Sequence, residues 1–218
     1  MIELYHYIHC PFCLRIRLSL GLLDLPYKSI PLGYEDEKTP LELTGVKMLP
    51  IAVINGKPMN ESLDILKKLD IKGELNLDIL DSHGEKIDEL LGRLGKPIHN
   101  LAMPYWMYTK EFTKESREYF QKKKELKRGP FNELVQKQED FLEELAPLLK
   151  EVEALIGPFM LKQRDFTILD IMLASHLWGL YVVPEFQFSP FLHRYLQMVK
   201  KVCNFNYHQD LWDGTLGH

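Results

Sequence analysis

Only three cysteines occur in the 218 residues, and two of them, Cys10 and Cys13, lie close together. That is too few for the disulfide framework that holds small secreted domains. No uncharged apolar run approaches the roughly 18 residues of a membrane span. The start, Met1-Ile2-Glu3-Leu4, lacks the basic beginning and long apolar core of a signal peptide, so the expected compartment is the cytoplasm. Positive charge is not in surplus either. Lys and Arg number 27 against 31 Asp and Glu, a net −4 that gives no general pull toward nucleic acid or anionic membrane. Internal repeats and low-complexity segments are missing as well. What is present is 45% hydrophobic and 27% charged residues, enough for a well-filled core in a soluble globular chain of one large or two small domains.

The chemistry concentrates at His9-Cys10-Pro11-Phe12-Cys13. An alternating segment, Ile2 to Ile8, reads as a strand before it; Leu14 to Leu23, apolar on most sides, reads as a buried helix after it. A C-x-x-C between strand and helix is the setting of a redox-active dithiol. Cys10 falls just outside the helix, where unpaired N–H groups and the helix dipole favour a thiolate over a thiol. Pro11 suits the first turn because it has no N–H to leave unsatisfied. Cys10 is therefore the expected nucleophile and Cys13 the resolving thiol. Two other readings stay open. The pair could be half of a zinc site with His6 or His9, although four ligands are needed and Cys203 is the only further cysteine. Both could also be inert buried thiols. His9 either tunes Cys10 or is simply solvated.

Further along, Tyr27 to Leu32 alternates as a second strand and Leu41 to Leu43 suggests a short helix. Lys47 to Ile54 reads as a third strand with Pro50 at its entry. Asn55-Gly56 marks a hairpin returning through Lys57 to Asn60. Glu61 to Leu69 is an amphipathic helix with Ser62 as its expected N-cap. This βαβαββα order, with C-P-F-C on the first helix and a proline before the third strand, resembles the thioredoxin fold and specifically glutaredoxins. The resemblance implies a cis Pro50 and a Leu49 backbone that holds the cysteine portion of glutathione. Glu61-Ser62 resembles the acid–serine pair that holds the γ-glutamyl group in glutathione transferases and related glutaredoxins. Phe12 stands where tyrosine is frequent and keeps the aromatic surface of a glutathione site. Arg15 or Lys47 is a candidate for the glycine carboxylate.

From residue 81 onward helical periodicity takes over. Helices are expected over 81–103 (interrupted at Gly95-Lys96-Pro97), 115–127, 131–156 (closed by Gly157-Pro158), 168–182 and 190–203. Thr167-Ile168-Leu169-Asp170 forms a capping box, with Phe166 and Ile171 at the positions of a hydrophobic staple. That box and staple recur in the helical domain of the glutathione transferase fold. The whole chain thus resembles the glutaredoxin 2 family. It implies a thioredoxin/glutaredoxin-like α/β domain at 1–70, a linker at 71–81 and an all-helical, transferase-like domain at 82–218.

By that resemblance the chain is a glutathione-dependent thiol–disulfide oxidoreductase. Catalysis falls to Cys10 and Cys13, and glutathione binding to Cys10, Phe12, Leu49, Pro50, Glu61 and Ser62. Glutathione is the reducing co-substrate, and disulfide-containing or glutathionylated proteins are the partners. No metal, nucleic acid or membrane is expected, and the chain is expected to be a monomer. A glutathione transferase activated by Tyr7 is one rival, although it gives Cys13 no task. A non-catalytic interaction protein on the same fold is another, and iron–sulfur binding is disfavoured by the dithiol. Lys110 to Arg128 carries eight basic against four acidic residues, which suits a solvated helix face better than a nucleic-acid site. Tyr105-Trp106-Met107-Tyr108 and Cys203 read as core.

Overall fold

The computed structural model describes residues 1–205; residues 206–218, and with them the end of the expected helical domain, lie outside the described residues. The α/β part runs β1 (Ile2–His6), α1 (Pro11–Leu22), β2 (Tyr27–Pro31), α2 (Lys38–Thr44), β3 (Ile51–Ile54), β4 (Lys57–Met59) and α3 (Ser62–Leu69). The sheet order is β2-β1-β3-β4. β1 is parallel to β2, across the α1 crossover, and antiparallel to β3, which pairs antiparallel with β4. Asn55 and Gly56 both have positive φ, 52° and 78°, as the two-residue turn of the β3–β4 hairpin requires.

The helical part comprises α4 (Leu80–Trp106), α5 (Lys114–Arg128), α6 (Phe131–Gln136), α7 (Gln138–Met160), α8 (Ile168–Leu177) and α9 (Pro190–Val202). Together with the sheet and α1–α3 this is the glutathione transferase-like architecture expected. α1 is buried from Cys13 to Leu20, Arg15 and Arg17 included, because it is enclosed by the sheet, α3 and α8. The two parts share one apolar core, which runs from Leu4 and Ile16 through Leu94 and Ile171 to Leu196.

Several boundaries differ from the periodicity. α4 continues through Pro97 and Pro104 as a single 27-residue helix. Both prolines are buried among its core-facing residues, so packing outweighs the loss of a backbone donor at each. α6 and α7 are separate, with Lys137 at the break, and α7 runs on through Gly157-Pro158 to Met160. Residues 178–182 tighten into a 3₁₀ turn after α8. There the Trp106 indole donates to the Gly179 carbonyl at 3.2 Å, and its ring leaves no room for a side chain at residue 179. Ser62 is the first residue of α3, and Glu61 occupies the N-cap.

The α8 start is built as the capping box anticipates, with more behind it. Asp170 Oδ2 accepts from the Thr167 N–H at 2.9 Å. The same fully buried carboxylate takes two bonds from the Arg164 guanidinium, at 2.6 and 2.8 Å. Tyr195 of α9 donates to the Asp170 carbonyl at 2.9 Å, and the Ile168 N–H reaches back to the Leu75 carbonyl at 2.9 Å. This node ties α8 to α9 and to the segment that leaves the α/β part. Among the described residues, no helix is long and apolar enough to cross a membrane.

Candidate active site

Strand β1 ends at His6 and the chain turns through Tyr7-Ile8-His9 into α1. Cys10 is the N-cap of α1, with extended backbone angles, and Pro11 is its first residue. The Leu14 N–H donates to the Cys10 carbonyl at 2.9 Å, which starts the helix directly behind the sulfur. Cys10 keeps part of its surface exposed, whereas Cys13, one turn inward, is fully buried; both are free thiols.

The two sulfurs are driven apart electrostatically. A hydrogen bond from the Cys13 thiol lowers the Cys10 pKa, and the N–H groups of Cys13 and Phe12 and the Lys124 charge act the same way; burial only partly opposes them. Burial pushes the Cys13 thiol well up, and the neighbouring Cys10 adds to that; a bond from the Tyr7 N–H to its Sγ at 3.4 Å only partly offsets it. The arrangement favours the thiolate at Cys10 and the thiol at Cys13.

A cleft of about 660 Å³ opens beside this helix start, lined among others by Phe12, Leu49, Pro50, Glu61 and Ser62. The Leu49–Pro50 peptide bond is cis. Leu49 also packs with Cys13 and Ile51 in a small cluster against which Cys10 and Tyr7 lie. The cleft thus gathers Phe12, Leu49, Pro50, Glu61 and Ser62, with Cys10 packed against the Leu49 cluster beside it. Of the two cations considered, Arg15 is in the cleft and Lys47 is not. Lys47 is held by the Tyr34 carbonyl, Glu37 and Tyr119 on another side of the molecule.

Arg15 is 3% exposed, stands 5.1 Å over the Phe12 ring and donates to Ser62 Oγ at 3.2 Å. Among the described residues its Nε has no hydrogen-bond partner. Burial lowers its pKa to about 10, with Asp88 and Cys10 pulling the other way. In the sequence Arg15 stood only as a candidate for the glycine carboxylate. Asp88, Asn60 and Lys67, which also line the cleft, carried no signal there.

His9 is not solvated. It is 7% exposed, with the rings of Tyr7, Tyr34, Trp106, Phe112 and Phe120 all within 6 Å, and Glu111 lies 3.7 Å from its Nδ1. Burial lowers its pKa. His6 is bonded to Ser29 at 2.7 Å and kept neutral, its pKa lowered to about 3 by burial. Among the described residues no group of three or more His, Cys, Asp or Glu is placed to hold a metal ion. The basic face of α5 is partly a seam between the two halves. Lys124 packs over the Tyr34 and Phe120 rings, and Ser116 Oγ accepts from the Tyr34 N–H at 2.8 Å. Burial raises the Tyr7 pKa, aided by Tyr34 and the two cysteines, so its phenol stays protonated.

Comparison with known proteins points the same way. Residues 86–211 match the model of the glutaredoxin 2 C-terminal domain, and residues 4–76 that of the glutathione S-transferase N-terminal domain. Glutaredoxin 2 of Escherichia coli K12 is 31% identical over 161 residues, covering 71% of this chain and 73% of that one. The structure of Salmonella typhimurium glutaredoxin 2 in complex with glutathione is 25% identical, with a TM-score of 0.80 over 97% of this chain and 98% of that one. A Ceriporiopsis subvermispora glutathione S-transferase superposes with a TM-score of 0.78 over 92% of this chain and 97% of that one, but at 14% identity it shares the fold alone. With a dithiol on its first helix and both halves of its chain matched, the protein belongs to the glutaredoxin 2 family of glutathione-dependent oxidoreductases.

Proposed function

We propose that the chain reduces protein disulfides and glutathione mixed disulfides through the Cys10–Cys13 dithiol, with glutathione as reductant. The observation that carries this reading is the placement of a partly exposed Cys10 at the N-cap of α1 with Cys13 fully buried one turn inward, which lowers the pKa of the first thiol and raises that of the second. The Cys10 thiolate attacks one sulfur of a substrate disulfide; a Cys10–substrate bond forms and the other substrate sulfur leaves as a thiolate. Cys13, losing its proton, then attacks Cys10, releasing the second substrate thiol and closing the Cys10–Cys13 disulfide. One glutathione opens that disulfide, forming a Cys10–glutathione bond and freeing Cys13; the thiolate of a second attacks the bound glutathione sulfur and Cys10 leaves as a thiolate, so two glutathione molecules are oxidised to their disulfide and the enzyme returns to the dithiol. On a glutathionylated protein, Cys10 attacks the glutathione sulfur, and free glutathione closes the cycle without Cys13.

Glutathione fits the cleft beside Phe12. The N-terminus of α3 and Arg15, joined through Ser62, suit the γ-glutamyl carboxylate. Glu61, Asp64 and Asp88 line the same cleft and suit its ammonium group. Leu49, before the cis Pro50, offers backbone to the cysteinyl portion. Arg15 thus serves the γ-glutamyl end, where it touches Ser62. We also infer the division into 1–70, a linker at 71–81 and a helical domain from 82; the family matches stop at 76 and resume at 86. A monomer in a glutathione-reduced compartment such as the cytoplasm suits this chemistry.

The experiment is a glutathione-coupled disulfide reduction assay beside a chlorodinitrobenzene conjugation assay. Fast reduction with negligible conjugation is expected. The reverse pattern would replace this reading with that of a transferase.

A further inference from the structure

A second cavity, about 540 Å³, opens on the other side of Phe12 and is walled by α1, α4, α5 and α8. The two cavities share Phe12, Arg15 and Asp88 and differ in charge. The first holds Arg15 and Lys67 against Glu61, Asp64 and Asp88. The second holds Arg15, Lys96, Lys127 and Arg128 against Asp88 alone. Its histidines add nothing at neutral pH, since burial lowers His99 to about 3 and His176 to about 4. Arg128 is fixed in place, donating to Asn100 Oδ1 at 2.8 Å and to His99 Nδ1 at 3.1 Å. Lys96 shares its charge with Glu144 at 2.9 Å, and Lys127 is exposed at the rim. The surplus of the second cavity is therefore positive in a chain whose net charge is −4.

We propose that this basic cavity receives acidic side chains flanking the disulfide of a polypeptide substrate, so that the protein prefers disulfides in acidic sequence. The inference rests on the reading above that Cys10 attacks such disulfides. Pro11 and Phe12, the two residues after the nucleophile, line the cavity. A substrate cysteine joined to Cys10 thus places its own neighbours over it, since extended chain advances about 3.3 Å per residue. Glutathione lies on the other side of Phe12, against the acidic wall. Peptide carboxylates meeting Arg128, Lys127 and Lys96 gain charge complementarity that speeds encounter and selects against basic sequences.

The test uses the full chain and three disulfide-linked peptide homodimers that differ only in having Asp, Asn or Lys on both sides of the cysteine, so that Cys10 attacks a peptide sulfur, with hydroxyethyl disulfide as an uncharged control. At low salt kcat/KM should be about fivefold or more higher for the Asp than for the Lys peptide, and the preference should shrink as salt rises. In the Lys96→Gln/Lys127→Gln variant the preference should weaken, with Arg128 still in place, while the rate on hydroxyethyl disulfide stays at the wild-type value. Equal rates on the three peptides, or a preference undiminished in the variant, would overturn the inference and leave the oxidoreductase reading intact. Failure to reduce hydroxyethyl disulfide as well as the peptides would overturn both.

Discussion

Replacing Arg15 by methionine should make the protein more stable and a poorer user of glutathione. The guanidinium is 3% exposed, and burial lowers its pKa from 12.5 to about 10. At about 1.4 kcal/mol per pKa unit, the folded state is disfavoured by about 3 kcal/mol through holding that charge. Arg15→Met relieves this while keeping much of the apolar stem, and loses one hydrogen bond to Ser62, worth about 1 kcal/mol. The balance is a stabilisation of about 2 kcal/mol. The same change removes the cation from the carboxylate end of the cleft. A hydrogen bond to a charged group contributes about 1.5–3 kcal/mol, so the KM for glutathione should rise roughly 10- to 150-fold. Urea denaturation without glutathione reads the first quantity and steady-state kinetics the second. A variant that is less stable than wild type and unchanged in KM would refute the reasoning, because Arg15 would then be a structural tie.

Three other outcomes follow from the same geometry. Ser62→Ala should raise the KM for glutathione by up to roughly tenfold with activity retained, since the α3 backbone donors remain; no change in KM would remove Ser62 from the site. Asp170→Ala leaves Arg164 unpaired and breaks the α8 start, so it should destabilise by about 3–5 kcal/mol; Thr167→Ala keeps the backbone donor and should cost about 1 kcal/mol, and equal denaturation midpoints for the two variants would contradict the node. His6 and His99 at about 3 and His176 at about 4, against 6.5 unfolded, are neutral in the folded state. Their depressed values mean stability is complete above pH 6.5 and is lost as pH falls toward 3. At pH 5 each costs about 2 kcal/mol, so a denaturation midpoint that stays flat between pH 6.5 and 5 would show that they are not held neutral.

The α/β half was legible because its signals are short-range. Asn55-Gly56 needs positive φ, Pro11 needs a first helical turn, and Cys10-Pro11-Phe12-Cys13 needs both sulfurs at one helix start. The order of elements then leaves few sheets to choose from. The helical half was read as helices, with the ends of 115–127 and 190–203 matched to within one residue and others misplaced. Pro97 and Gly157-Pro158 look like breakers until the packing that overrides them is known. At the site, the residues proposed for glutathione came from resemblance, whereas the unequal thiols, the Arg15–Ser62 contact and the His9–Glu111 pair depend on burial, which one sequence does not state. His9 shows the limit most plainly. Beside the cysteine it reads as either a tuner of Cys10 or a solvated residue, and the arrival of Trp106, Phe112 and Phe120 from the helical half encloses it. The basic cavity is a similar case: Arg15, Lys96 and Arg128 come from three helices, and no local pattern joins them.

The division of labour between the two sulfurs is tested most directly by following thiolate absorbance against pH in Cys13→Ser, alongside activity in both single variants. Cys10 should titrate below the reference of about 8.5 for a free cysteine, because the helix-start N–H groups and Lys124 remain when the Cys13 thiol is gone. Cys10→Ser should lose both protein disulfide reduction and deglutathionylation, since a serine hydroxyl is not ionised at neutral pH. Cys13→Ser should lose most dithiol-dependent reduction and keep much of its deglutathionylation, where free glutathione attacks the mixed disulfide instead. Titration of Cys10 at or above about 8.5, or equal loss of both activities in the two variants, would contradict the assigned roles.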